Sequence, residues 1–236
     1  MLASGKADSY IVVPALILFA VSAYRCLFPV RYEHNVVFHD SVFSSIIVTR
    51  LLATFSEIAY IYLFSQVLRQ LNVEQTEWIT LLSWFMVLQV VISQVFVWAA
   101  VLTGRLMLYF YEELGWALIF IANTVVSAWL YRGADAFTGS HILLELNLAF
   151  GALYLPWQFF HLRFLHANAQ KDTGSAAAGV LSTQLLAGLK RAIQVKNRRT
   201  DAESWGGWIG LSWMTAYWVA LIPVWAYTII KTLHAQ

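Results

Sequence analysis

Charge and cysteine are what this sequence has least of. Lys, Arg, Asp and Glu make up only 12% of its 236 residues, while 60% are hydrophobic. A soluble domain carries about 25% charged residues. Too little polar surface is left to face water, so the implied solvent is lipid. The single cysteine, Cys26, excludes an internal disulfide framework and a cysteine-built metal cage. A net charge of +2 makes no case for nucleic acid as a partner. There is no G-x-S-x-G elbow and no phosphate-cradling glycine loop. Six scattered histidines do not form the histidine-rich boxes of a membrane di-iron enzyme, and only His161, at the edge of a span, qualifies as a ligand for a membrane haem, which needs facing histidines. Neither an internal repeat nor the inverted repeat of many transporters is visible.

Apolar length is what the chain has in abundance. A membrane helix needs about 20 mainly apolar residues, and six segments qualify: 9–28, 42–66, 78–103, 106–131, 141–163 and 207–230. Between them lie Pro29 with Arg31 and Glu33, Asn72 with Glu74 and Glu77, Gly104-Arg105, and Arg132-Gly133 with Asp135. Such short connections make neighbouring spans antiparallel. The expected fold is all-α: one domain over 1–236, a polytopic bundle of six transmembrane helices. Eleven Trp and eleven Tyr suit rings that settle at headgroup depth. The first segment has the apolar core of a signal peptide, but Asp8 interrupts its basic leader, and the segment is read as a span.

Basic residues are unevenly shared. Arg25, Arg31, Arg105, Arg163, Lys171, Lys190, Arg191, Lys196, Arg198 and Arg199 fall on one side; Lys6, Arg69, Arg132 and Lys231 fall on the other. The positive-inside bias makes the first side cytoplasmic, with the loop 164–206 inside and both termini outside. Within that loop, Leu181, Leu185, Leu189 and Ile193 recur at helical spacing, followed by Lys196, Arg198 and Arg199. This pattern predicts a cytoplasmic amphipathic helix resting in the membrane interface, with membrane lipids as its partners. A plain connector is the competing reading.

The candidate site residues are the polar groups inside the spans. "VTRLLATFSEIAYIYLF" carries Arg50 and Glu57, and the fourth span carries Glu112, Glu113 and Asn123. The third adds Gln89 and Gln94; the fifth adds Glu145, Asn147 and, near its end, His161. A rise of about 1.5 Å per residue sorts them into two layers. One holds Arg50, Glu112 and Glu113 near His161; the deeper one holds Glu57, Glu145, Asn123 and Asn147. Arg50 and Glu57 are expected to be too far apart along their helix to bond, so Arg50 should face a carboxylate of the fourth span. Unpaired charges in lipid are costly, so these groups should be paired, protonated or ligand-bound.

Glu57, Glu112, Glu113 and Arg50 are therefore the candidate catalytic set. Glu145, Asn123, Asn147, Gln89, Gln94, Trp213 and Trp218 are candidates for binding a substrate or cation, and His161 with Glu113 for a metal. No cofactor is indicated. The leading reading is an intramembrane enzyme acting on a lipid-like or isoprenoid-like substrate. A proton-coupled or cation transporter or channel is the alternative. A third reading is a structural subunit of a larger complex, with charges that pair with partner subunits or a second copy.

Overall fold

The computed structural model describes residues 8–32, 35–134, 139–171 and 181–234. Its first five long helices are α1 (Ser9–Leu27), α2 (Ile46–Leu71), α3 (Glu77–Thr103), α4 (Leu106–Tyr131) and α5 (Gly139–Lys171). A shorter helix, α6 (Leu181–Gln194), precedes the last rod. That rod comprises α7 (Gly207–Thr215), a π-helical segment (Ala216–Leu221) and α8 (Ile222–His234). Among the described residues six helices are long and apolar enough to cross a membrane, the sixth over Gly210–Thr232.

The ends of the helices follow from local chemistry. Asp8 caps α1 by accepting a hydrogen bond from the Tyr10 amide at 2.9 Å. Gly104 closes α3 in the left-handed conformation (φ 75°), its amide bonding to Ala100 O, so α4 can begin at once. In the last rod Pro223 has no amide to donate one turn back to Val219. The helix widens just before it, and the Ile222 amide bonds instead to Tyr217 O.

Successive helices alternate in direction, so the bundle has two ends. The start of α1 meets the end of α2 where Gln70 donates to Asp8 (3.1 Å), and Gly139 of α5 abuts Thr232 of α8. The opposite end, called here the basic end, carries α6 and the loops around it. Two helix pairs approach where glycine removes a side chain. A Cβ on Gly115 would strike Ser93 and Gln89 of α3, and one on Gly151 would strike Thr124 of α4. One apolar core runs through the bundle, from Ile11 and Leu18 of α1 through Phe64, Met86 and Phe120 to Ile222 and Ile229. Outside, large apolar side chains face away from the protein, among them Leu81, Leu88, Val95, Leu153 and Phe160. A water-facing monomer rarely shows so continuous an apolar coat.

The basic end is knitted together. Strands β1 (Val30–Arg31), β2 (Val36–Val37) and β3 (Asn197–Arg198) form a small sheet in that order, antiparallel and then parallel. Lys196 reaches Asp40 (3.0 Å) and Ser41 O (3.1 Å), and Arg31 donates to Ser204 O (3.1 Å). The apolar stripe from Leu181 to Ile193 lies on one helix, α6. The helix ends at Gln194, because residues 197–198 are taken by the sheet. The face of α6 turned to the bundle is unexpected. Gly188 and Ala192 are buried, while Leu185, Leu186, Leu189 and Ile193 are exposed.

Candidate functional site

Arg50, one turn into α2, is 3% exposed, and its partner is Glu57 of the same helix: Nη2 donates to Glu57 Oε2 at 2.7 Å. This corrects the expectation that the two were too far apart. The rise between them is about 10.5 Å, but that counts Cα atoms. The Glu57 side chain tilts back toward the N-terminal turns where Arg50 sits, and the long guanidinium closes the rest. Gln94 of α3 completes a triangle, accepting from Arg50 Nη2 (2.6 Å) and donating from Nε2 to Glu57 Oε2 (2.8 Å). The fourth span therefore does not supply the first partner of Arg50. Glu112, buried beside the Trp116 indole, interacts with Arg50, Glu57 and Glu113 only at longer electrostatic range.

Glu113 is held by α5. Gln158 Nε2 donates both to Glu113 O (2.7 Å) and to Glu113 Oε2 (2.8 Å). The other carboxylate oxygen faces His161 Nε2 at 4.0 Å, with the side chains 27% and 29% exposed. His161 stacks on Trp157, whose ring lies 4.8 Å away at 11°. Two tyrosines join from other elements: Tyr154 of α5 and Tyr217 of the π segment interact electrostatically with Glu113 and with Tyr60 of α2. The layer thus holds three glutamates against one buried guanidinium. Three carboxylates against one guanidinium would carry an excess of negative charge that is costly in an apolar surrounding.

On each helix, aromatic rings follow as the chain leaves this layer for the other end. Phe64 is seven residues beyond Glu57, and Phe120 is seven beyond Glu113. Phe64 stacks on Trp225 (4.6 Å) and meets Phe120 edge-on (5.7 Å), while Phe120 packs on Phe150 (4.9 Å) and Tyr154 (4.8 Å). Past the rings lies a neutral cluster. Asn147 Nδ2 donates to Asn123 Oδ1 (3.4 Å) and Ser127 Oγ (3.1 Å), all fully buried.

The expected deep layer therefore divides. Glu57 belongs with Arg50. Glu145 is 53% exposed at the far end of α5, where Tyr131 donates to it (3.2 Å) and His141 lies 3.5 Å away. Nothing joins it to Glu57, because a turn-spaced imidazole and a nearby phenol draw it outward. Gln89 is half-buried against Gly115. Trp218 is buried over the guanidinium of Arg25 (5.1 Å) rather than beside the acids. The side chain of Trp213 lies outside what the structure describes. Among the described residues no three His, Cys, Asp or Glu side chains come together to hold a metal ion. His161 and Glu113 form only a pair.

Sequence reasoning missed Gln158, Tyr154 and Tyr217. Gln158 did carry a signal, since it precedes His161 by three residues and shares its helical face. Compared with protein families, with curated proteins and with solved structures, the chain matches none.

Proposed function

We propose that this chain is an integral membrane enzyme performing acid–base chemistry on a lipid-like substrate, with Glu113 and His161 as the proton-transfer pair. The carrying observation is the asymmetry of Glu113. Gln158 ties one carboxylate oxygen, and the other faces a half-buried imidazole at 4.0 Å. A carboxylate orienting a histidine is a general-base arrangement, and a gap of this size tightens when substrate binds. Glu112 and the Arg50–Glu57–Gln94 triangle lie behind as a fixed field on developing charge. The neighbouring lipid-facing side chains Trp157, Phe160 and Phe164 are exposed, which suits a substrate arriving sideways from the bilayer. The basic end would be cytoplasmic, with the leucine face of α6 lying in the interface.

Proton-coupled transport is the second reading, favoured by the run of protonatable groups from His161 to Glu57. The Phe64–Phe120–Trp225 layer weighs against it, because it separates that run from the other end with rings that carry no proton. The test is to reconstitute the protein with total membrane lipid and compare lipid mass profiles for wild type and Glu113→Gln. A species consumed or formed only by wild type, with equal thermal stability of the variant, supports the enzyme. An unchanged profile, together with flux driven by a pH gradient and lost in Glu113→Gln, replaces the enzyme with a transporter.

A further inference from the structure

A second buried guanidinium lies at the basic end, outside the acid layer. Arg25, in the last turn of α1, is 6% exposed. It donates to the Tyr32 hydroxyl (3.1 Å) and to Val30 O (3.1 Å), and sits between the rings of Tyr32 and Trp218. Both acceptors are neutral. Nε is buried without any partner, and among the described residues no carboxylate pairs with this side chain. A guanidinium offers five N–H donors, and it cannot shed its charge. Two hydrogen bonds to neutral oxygens and two ring faces leave that charge poorly compensated in a dry site.

Arg25 also forms part of the wall of a cavity of about 350 Å³, a size that suits small-molecule sites. Its lining mixes polar and apolar groups: Arg25, His39 and Thr200 contribute polar atoms, and Met214, Trp218 and Val219 apolar surface. Val219 is itself exposed on the apolar coat of the bundle, so the apolar wall runs out to the surface that faces lipid.

We propose that this cavity binds the anionic head of an amphiphile, a phosphate or carboxylate carried on an alkyl chain. Arg25 supplies the countercharge and the Met214–Val219 wall holds the first part of the chain. The charge calls for an anion, and the continuity of the apolar wall with the lipid-facing surface calls for a tail. The inference stands apart from the acid–base reading, since neither Glu113 nor His161 lines the cavity.

The test is native mass spectrometry of the full chain in mild detergent, titrated with oleate, phosphatidylglycerol, phosphatidylcholine or inorganic phosphate. Wild type is expected to hold one oleate or phosphatidylglycerol in preference to phosphatidylcholine. Arg25→Gln should weaken that binding about tenfold or more, the scale of a lost charge-assisted bond. Met214→Trp narrows the cavity while leaving the Arg25 side chain itself in place, and should lose the adduct while keeping its melting temperature. It carries the test if Arg25→Gln does not fold. Equal retention of phosphatidylcholine, or an undiminished adduct in a folded Met214→Trp protein, overturns the proposal. Inorganic phosphate displacing the lipid at equal concentration shows a site for free anions and overturns it as well.

Discussion

The two polar layers between α4 and α5 are made of similar side chains and behave differently. In the outer one, Asn123, Asn147 and Ser127 are neutral, fully buried and bonded to one another. In the inner one, Glu112 and Glu113 of the same α4 are charged or proton-bearing, and Glu113 is partly open beside His161. A neutral cluster bonded through Asn147 Nδ2, even with Asn123 Nδ2 and Asn147 Oδ1 left unpaired, brings no net charge into an apolar surrounding and costs less there than a carboxylate. An acidic cluster with more carboxylates than cations is unfinished without a proton or ligand. On the proposed reading the difference separates a helix clamp from a site, although both appear in the sequence as polar residues in an apolar run.

The largest expected effect breaks the inner layer. Arg50→Ala leaves the largely enclosed Glu57 (13% exposed) without its cation, a loss of up to about 3 kcal/mol. It should be read as a lower melting temperature in detergent, partly restored by adding Glu57→Gln. A rescue of zero would show that the triangle is not a unit. Glu113→Gln comes next and concerns function. Turnover should fall about 100-fold with the melting temperature unchanged, whereas a parallel loss of both would make Glu113 a packing residue. Asn147→Leu should cost about 1 kcal/mol, the scale of hydrogen bonds between membrane helices, and leave turnover intact. Lost turnover there would erase the contrast between the layers.

The smallest effect lies outside the bundle. Asp201 accepts the Ser204 amide at 2.8 Å, which holds its carboxyl below the usual range. That stabilisation is complete above the unfolded value of about 3.9. It is lost as pH falls through the lower folded value. The protection factor of the Ser204 amide, its exchange rate relative to the intrinsic rate at the same pH, should fall in that acid range, and Asp201→Asn should remove that fall.

Most of the bundle was legible because lipid excludes charge, so breaks between apolar runs mark helix ends. The edges moved where a helix outlasts its apolar run. The second span was expected to stop near 66, but α2 continues to Leu71 because Arg69 stacks over Trp84 (4.1 Å) and donates to Ser65 and Ser83. The fifth extends to Lys171 for lack of a breaker before it. The site was legible as a list of polar residues and less so as a geometry. Depth counted along one axis placed Glu57 with Glu145, yet side-chain reach joins Glu57 to Arg50 and local partners turn Glu145 outward. Arg25 was visible only as a positive charge, because nothing in one sequence says which arginine lacks an acid.

Gly188 has a mechanical consequence. A Cβ there would fall 1.7 Å from Leu102 O, so α6 rests backbone against backbone on the end of α3. A helix seated this way can neither roll nor rise, and β3 fastens its trailing end. Its leucine ridge therefore stands at a fixed height relative to the six spans. On the proposal that this ridge lies in the membrane interface, it acts as a keel: it sets the draught of the whole molecule, and a thinner or thicker membrane must adjust to it.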